Sequence, residues 1–336
     1  MSKDAIYRLS FMTRLGYQIP NFTYPGIGSA GLFDKVAAQA KAAENSGFDT
    51  VLVMDHFYQL PMLGAPEANM LECYTILAAL ARETTTVRLG ALVTGNTYRN
   101  PALLAKIITT LDIVSNGRAQ LGIGAGWFEF EHNSLGFEFG TFTDRFEKLE
   151  EALQIILPML NDERPSLAGK HYSVDSAINQ PAPVGRIPVM IGGSGEKKTL
   201  RLVAQYADES NLTAPANEVG RKLDALAAHC QRLGRDRKTI TVSKAVNVCI
   251  GETHEAAYND MATFLGDRGL DLSTLDETTK AEIMSLVVWG DGDEVGQQLS
   301  EIMALGVDGL TCSLPANGWI PERVAQLGEV ASKVVG

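Results

Sequence analysis

The sequence has little of what secreted, membrane-spanning or nucleic-acid-binding proteins rely on. Its 336 residues include only four cysteines, and Cys73, Cys230, Cys249 and Cys312 stand far apart with no paired spacing. That excludes a disulfide framework and a zinc knuckle, and leaves core thiols of a reducing compartment. No window of about 18 or more apolar residues occurs, and no basic segment followed by an apolar run opens the chain, so neither membrane spanning nor secretion is expected. Positive charge is also short, and a net charge of -11 opposes attraction to phosphate backbones and anionic lipid surfaces. Apolar residues are plentiful, at 45% of the chain against 21% charged with no long polar tract, which suffices to bury a large core and excludes disorder. The expectation is a soluble cytoplasmic protein with a small-molecule partner, no nucleic acid and no membrane.

Short apolar strands alternate with amphipathic helices to the end of the chain. Strands are expected at 15–19, at 50–57 where an apolar run ends in Asp55 and His56, and at 87–93, 119–124, 188–192, 208–212, 239–250 and 306–311. Between them lie helical spacings such as Met70, Tyr74, Leu77 and Ala81, or Phe146, Leu149, Leu153, Ile156 and Leu160. Asn100 followed by Pro101 marks a helix start, with an amide capper just outside and proline at the first position. Two stretches interrupt the alternation. One, near 161–187, carries Pro165, Gly169, Pro181 and Pro183 around a strand-like 170–174; the other spans 253–290. Eight strand and helix units with no break in composition predict one α/β domain over 1–336, a (β/α)8 barrel with insertions near 161–187 and 253–290. A doubly wound open sheet is the alternative.

In a barrel of this kind the site lies at the carboxyl ends of the strands. The Gly192-Gly193-Ser194-Gly195 turn opens onto a helix expected near Glu196, so its amides suit a phosphate, with Lys197, Lys198 and Arg201 nearby; the plainer reading is a tight turn. The Gly122-Ile123-Gly124-Ala125-Gly126 run lacks the helix placement of a dinucleotide fingerprint and reads as close backbone approach to a flat ligand. His56 has no second histidine three to five positions away, and His132, His171, His229 and His254 form no ligand motif, so metal binding is the weakest of its readings. General acid or base work and a purely structural hydrogen bond remain. Asp55 orients either loop amides or a ligand. Trp127 and Phe128 form either an apolar plug or a stacking wall, and Glu129, Glu131 and His132 either face solvent or serve the site.

Taken together, Val53-Met54-Asp55-His56-Phe57, Asn100-Pro101, Ser115-Asn116-Gly117-Arg118 ahead of Leu121-Gly122-Ile123-Gly124-Ala125-Gly126-Trp127, and Ile191-Gly192-Gly193-Ser194-Gly195 resemble the luciferase-like superfamily. Within it the chain is most similar to the deazaflavin-dependent oxidoreductases that use coenzyme F420. The resemblance covers almost the whole chain and implies a TIM barrel, commonly a homodimer, with the cofactor ring at the carboxyl face and hydride passing to or from it. It implies that Asp55 and His56 lie beside the ring, with His56 exchanging a proton with substrate. A non-prolyl cis peptide is implied at Leu92-Val93 behind the ring. Thr94 and Asn96 would touch the ring or its side chain, Gly126 and Trp127 would lie against it, and Gly192, Gly193, Ser194 and Gly195 would hold the phosphate. The sugar-phosphate dehydrogenases of the family carry a glutamate where this chain has Trp127, which puts sugar-phosphate oxidation in doubt and leaves Glu131 as a substitute carboxyl. A reductase acting on an unsaturated or carbonyl compound is the implied activity, and a flavin mononucleotide (FMN) monooxygenase is the alternative.

Overall fold

The Val- and Ile-rich runs read as strands are buried on both faces, as strands of a helix-covered parallel sheet must be. The computed structural model describes residues 13–336. Within them eight parallel strands close on themselves: β1 Leu15–Ile19, β2 Thr50–Val53, β3 Arg88–Ala91, β4 Ala119–Gly124, β5 Val189–Gly192, β6 Glu209–Leu212, β7 Thr241–Ile250 and β8 Gly309–Ser313. Each pairs with its neighbours in sequence order, and β8 returns to β1 with Leu15 opposite Leu310. The expected (β/α)8 barrel is therefore the architecture, and the open sheet is not.

Alternation along the strands sorts side chains between two cores. Val51 and Val53 join the apolar layer under the helices, whereas Thr50 turns inward, with its hydroxyl 3.2 Å from that of Thr13. The barrel floor is polar and paired. Thr13 donates to Gln120 at 3.1 Å, Gln120 donates to Glu209 at 2.9 Å, and one layer higher Asn211 donates to Ser243 at 3.0 Å and Thr311 at 3.1 Å. Each of these side chains makes at least one such bond, as buried polar groups generally must.

Around the barrel run α1 Leu32–Asn45, α2 Cys73–Glu83, α3 Pro101–Ser115, α4 Glu129–Leu135, α5 Phe142–Leu160, α6 Thr199–Tyr206 and α7 Val219–Leu233, and then α8 His254–Gly266, α9 Glu277–Met284, α10 Gly292–Met303 and α11 Pro321–Val335. Asn100 caps α3 as its sequence requires, its carboxamide oxygen accepting the Ala102 amide at 2.9 Å. The strands expected at 50–57 and 306–311 run over Thr50–Val53 and Gly309–Ser313, and two helix starts differ from expectation. Helix α2 starts at Cys73 rather than near Met70, since Glu72 stays extended and its carboxylate takes the Thr75 amide. Helix α6 starts at Thr199, after a turn over 196–198.

The stretch near 161–187 contains an antiparallel hairpin of Leu167–Ala168 with Ser173–Val174. Its tip is tied down by Glu151, which accepts the amides of Lys170, His171 and Tyr172 at 2.8 to 2.9 Å. The 253–290 stretch builds α8 and α9 around a small core of its own, Cys249, Met261, Leu272 and Met284. It returns through Val288–Gly290, a strand that lengthens the sheet beside the far end of β7.

Candidate active site

At the carboxyl face the loops enclose a cavity of about 1160 Å³, lined among others by Asp55, His56, Val93, Trp127, Gly192 and Leu286. Clefts of roughly 300–1,000 Å³ hold cofactors and drug-sized ligands, so this one admits a cofactor ring together with a substrate.

Two hydrogen-bonded pairs organise the wall that follows β2. Asp55 is 2% exposed and receives both arms of Arg99, at 2.6 and 3.0 Å. Arg99 in turn reaches Glu72 at 2.7 Å and lies over the Tyr74 ring. Burial pushes the Asp55 carboxyl upward while the guanidinium pulls it back; burial works against the Arg99 charge as well, but the bonds to Asp55 hold it above its ordinary value. Next to this pair, His56 Nδ1 lies 2.6 Å from Glu131 Oε1. The other oxygen of Glu131 accepts the Phe57 amide at 2.8 Å, and the Tyr98 hydroxyl donates to Oε1. Glu131 is fully buried. Burial opposes its charge, but the bonds from His56, Tyr98 and the Phe57 amide hold its carboxyl below the usual range. A carboxylate so held orients the imidazole and leaves Nε2 as the nitrogen free of Glu131.

The cavity floor lies where β3 gives way to its loop. The Leu92-Val93 peptide is cis, and Gln18 donates to the Leu92 carbonyl at 3.3 Å. Beyond it Thr94–Gly95 rejoins the sheet beside Ile123 and Gly124. Val93 fills the space that side chains at Gly124 and Gly192 would need: a Cβ on either would fall 2.8 to 2.9 Å from a Val93 methyl. The two glycines thus make room for the Val93 side chain at the floor.

The Gly192-Gly193-Ser194-Gly195 turn lies at the edge of this floor. Gly193 has a φ of +112°, a conformation open to glycine, and its amide is used by the Asn211 carbonyl at 3.1 Å. The amides of Ser194, Gly195 and Glu196 have no acceptor among the described residues. The Ser194 hydroxyl is engaged, accepting the Thr213 and Ala214 amides at 3.0 and 3.1 Å. Arg201 is held by Glu150 in a two-armed pair and is not free to meet an anion. Lys198 lies over the rings of Phe142 and Phe146, 5.0 and 5.4 Å from their centroids.

Of the residues singled out in the sequence, Asp55, His56, Leu92, Val93, Thr94, Gly126, Trp127, Gly192 and Gly193 line one cavity. Asn96 is buried at 1% exposure and is not among the lining residues. Glu131 and His132 are buried rather than solvent-facing, with His132 Nε2 2.6 Å from the Thr97 hydroxyl, whereas Glu129 is exposed. Arg99, Tyr98 and Gln18 belong to the site but were not anticipated. Tyr98 and Arg99 sit directly before the Asn100-Pro101 helix start, so their place at the carboxyl end of β3 was the available signal. Away from the cavity, Asp144, Glu147 and His171 draw together, but the Lys170 ammonium already bonds both carboxylates.

Fold and site define a (β/α)8 barrel with a roomy cofactor-type cavity at its carboxyl face. The chain belongs to the luciferase-like monooxygenase family, whose sequence profile matches residues 13–309. Among characterised relatives, an F420-dependent glucose-6-phosphate dehydrogenase of Microbacterium testaceum is 32% identical over 64% of this chain and 64% of its own length. A 5,10-methylenetetrahydromethanopterin reductase of Methanolobus tindarius is 29% identical over 80% of each chain. The match spans 61% to 66% of the length of the first three relatives. In three dimensions the chain is similar to the coenzyme F420-dependent tetrahydromethanopterin reductase of Methanopyrus kandleri, with TM-score 0.78 and 19% identity over 94% of this chain and 97% of that one. An F420-dependent secondary alcohol dehydrogenase bound to an F420-acetone adduct gives TM-score 0.76 and 18% identity over 96% and 99%. A monooxygenase of Streptomyces bottropensis gives 0.78 and 18% over 95% and 98%; likenesses at this identity speak for the fold.

Proposed function

We propose that this protein is a coenzyme F420-dependent oxidoreductase that moves hydride between the deazaflavin and a small organic substrate, working as a reductase. The observation that carries the reading is that His56, held from behind by the buried Glu131, and the glycine-flanked floor face one cavity. The residues fit a flat cofactor with an anionic tail. Val93 packs onto Gly124 and Gly192, and these three line the floor with small apolar surface, while the unused amides of Ser194, Gly195 and Glu196 suit a phosphate. The names of the relatives favour the deazaflavin over flavin mononucleotide.

Bound there, the cofactor would supply hydride chemistry, and the protein would do the rest. Leu92, Val93 and Thr94 support the ring, and the turn from Gly192 to Gly195 holds the phosphate through its backbone. Asp55, neutralised by Arg99, holds the Arg99 loop against the β2 loop. Glu131 fixes the His56 ring through Nδ1, so that Nε2 can give a proton to substrate or take one from it. The buried free thiols fit a reducing cytoplasm, and the working unit is a homodimer, which sedimentation of the purified protein checks. The His56→Ala variant tests the site. Affinity for oxidised cofactor should stay within a few fold while kcat falls by about 10²–10⁴-fold; unchanged turnover removes His56 from the mechanism.

A further inference from the structure

Charge at the cavity is almost entirely spoken for. Asp55 is closed by Arg99. Arg145 gives its Nε to the Gly126 carbonyl at 3.1 Å and Nη1 to the Gly140 carbonyl at 3.0 Å, with its guanidinium over Phe139. Lys244, on β7, also lines the cavity, and its ammonium bonds the Ala245 carbonyl at 2.8 Å. Facing these is a rim of bare hydrocarbon. Met62, Trp127 and Leu286 all line the cavity, yet they are 69%, 56% and 77% exposed. Trp127 stands edge-on to the His56 ring, with centroids 5.8 Å apart, so this apolar wall begins at the proposed proton donor. Met62 and Leu286 come from different lids, the β2 loop and the 253–290 insertion. The two lids are joined where Arg268 donates to the Leu63 carbonyl at 2.9 and 2.6 Å.

We infer that the substrate is an uncharged molecule with an apolar, preferably aromatic, body, and that Trp127, with Met62 and Leu286, selects it. This deepens the proposed function and rests on it. An ionised group laid against Met62, Trp127 and Leu286 would lose water and meet hydrocarbon there, since the cations that line the cavity, Arg145 and Lys244, are already bonded to backbone carbonyls, whereas a ring would cover exposed hydrocarbon and stack on Trp127.

A matched pair tests the inference. 4-Phenyl-3-buten-2-one and its para-carboxylate share one acceptor and differ by one negative charge. Binding to the cofactor-loaded enzyme is read by calorimetry, and kcat/KM by loss of the reduced deazaflavin. The neutral compound should be preferred by at least about tenfold in both. Trp127→Glu and Leu286→Glu should weaken the neutral compound, and Trp127→Phe should keep the preference. Equal handling of the two, preference for the carboxylate, or no binding of the neutral compound by enzyme that does hold the cofactor would overturn it. Failure to hold the deazaflavin at all would instead contradict the proposed function, and the cofactor titration reads that separately.

Discussion

At the scale of single residues, the site depends on how two carboxylates are held. Asp55 and Glu131 are both buried, but Asp55 faces a guanidinium and Glu131 faces an imidazole. The first pair is fixed charge; the second can pass a proton. Glu131→Gln keeps the shape while removing the charge that steadies His56, so kcat should fall by about 10- to 100-fold with little change in cofactor affinity. Because the Glu131 carboxyl is held below its usual range, it stays ionised well into the acid, and the wild-type orienting contact weakens only as pH falls through that lowered value. The pH-rate profile of Glu131→Gln should therefore lose the acid limb that belongs to this group; a profile identical to wild type would separate Glu131 from the proton path. Arg99→Ala leaves the Asp55 carboxylate buried without a partner, and a loss of about 3–5 kcal/mol in denaturant unfolding is expected.

At the scale of elements, chain punctuation and packing decide where each functional group points. Helix α3 begins at a capped Asn100-Pro101 step, which fixes Tyr98 and Arg99 just ahead of it. Asn100→Ala should cost about 1 kcal/mol in unfolding free energy, measured by urea titration, and loss of the cap should also loosen the Arg99 contact. The sequence made these elements legible to different depths. Apolar runs and the Asp55-His56 tip located most of the barrel strands, since strands buried on both faces favour such runs, although β6, Glu209–Leu212, is largely polar. The starts of α2 and α6 were missed because Glu72 and the 196–198 turn act through local backbone geometry that periodicity does not carry. The Glu131 partnership with His56 joins residues 75 apart in the chain, and the Arg99 partnership with Asp55 joins residues 44 apart. Neither leaves a local spacing to read. Arg201 looked available as a cation in sequence, but Glu150 on the neighbouring helix α5 occupies it.

At the scale of the whole molecule, the barrel floor carries its own pH dependence. Glu209 is fully buried beneath the cavity, and burial raises its carboxyl to about 7 despite opposing contacts from Thr13 and Arg88. In the unfolded chain it would ionise near an ordinary glutamate value of about 4.3. Between those values the unfolded state gives up its proton while the fold keeps it, so stability contributed below the lower value is lost as pH rises towards about 7. Glu209→Gln should remove this slope and raise the melting temperature at pH 8 relative to wild type; an unchanged slope would mean that Glu209 titrates alike in both states. Above the floor, the two lids and the glycine-flanked site make one cavity large enough for a cofactor and its substrate. The central claim concerns what fills it, and the most direct test is a side-by-side absorbance titration of purified protein with oxidised deazaflavin and with flavin mononucleotide. Saturable binding of the deazaflavin, at least about tenfold tighter than that of the flavin, is the expected result; tight binding of flavin mononucleotide alone would contradict it.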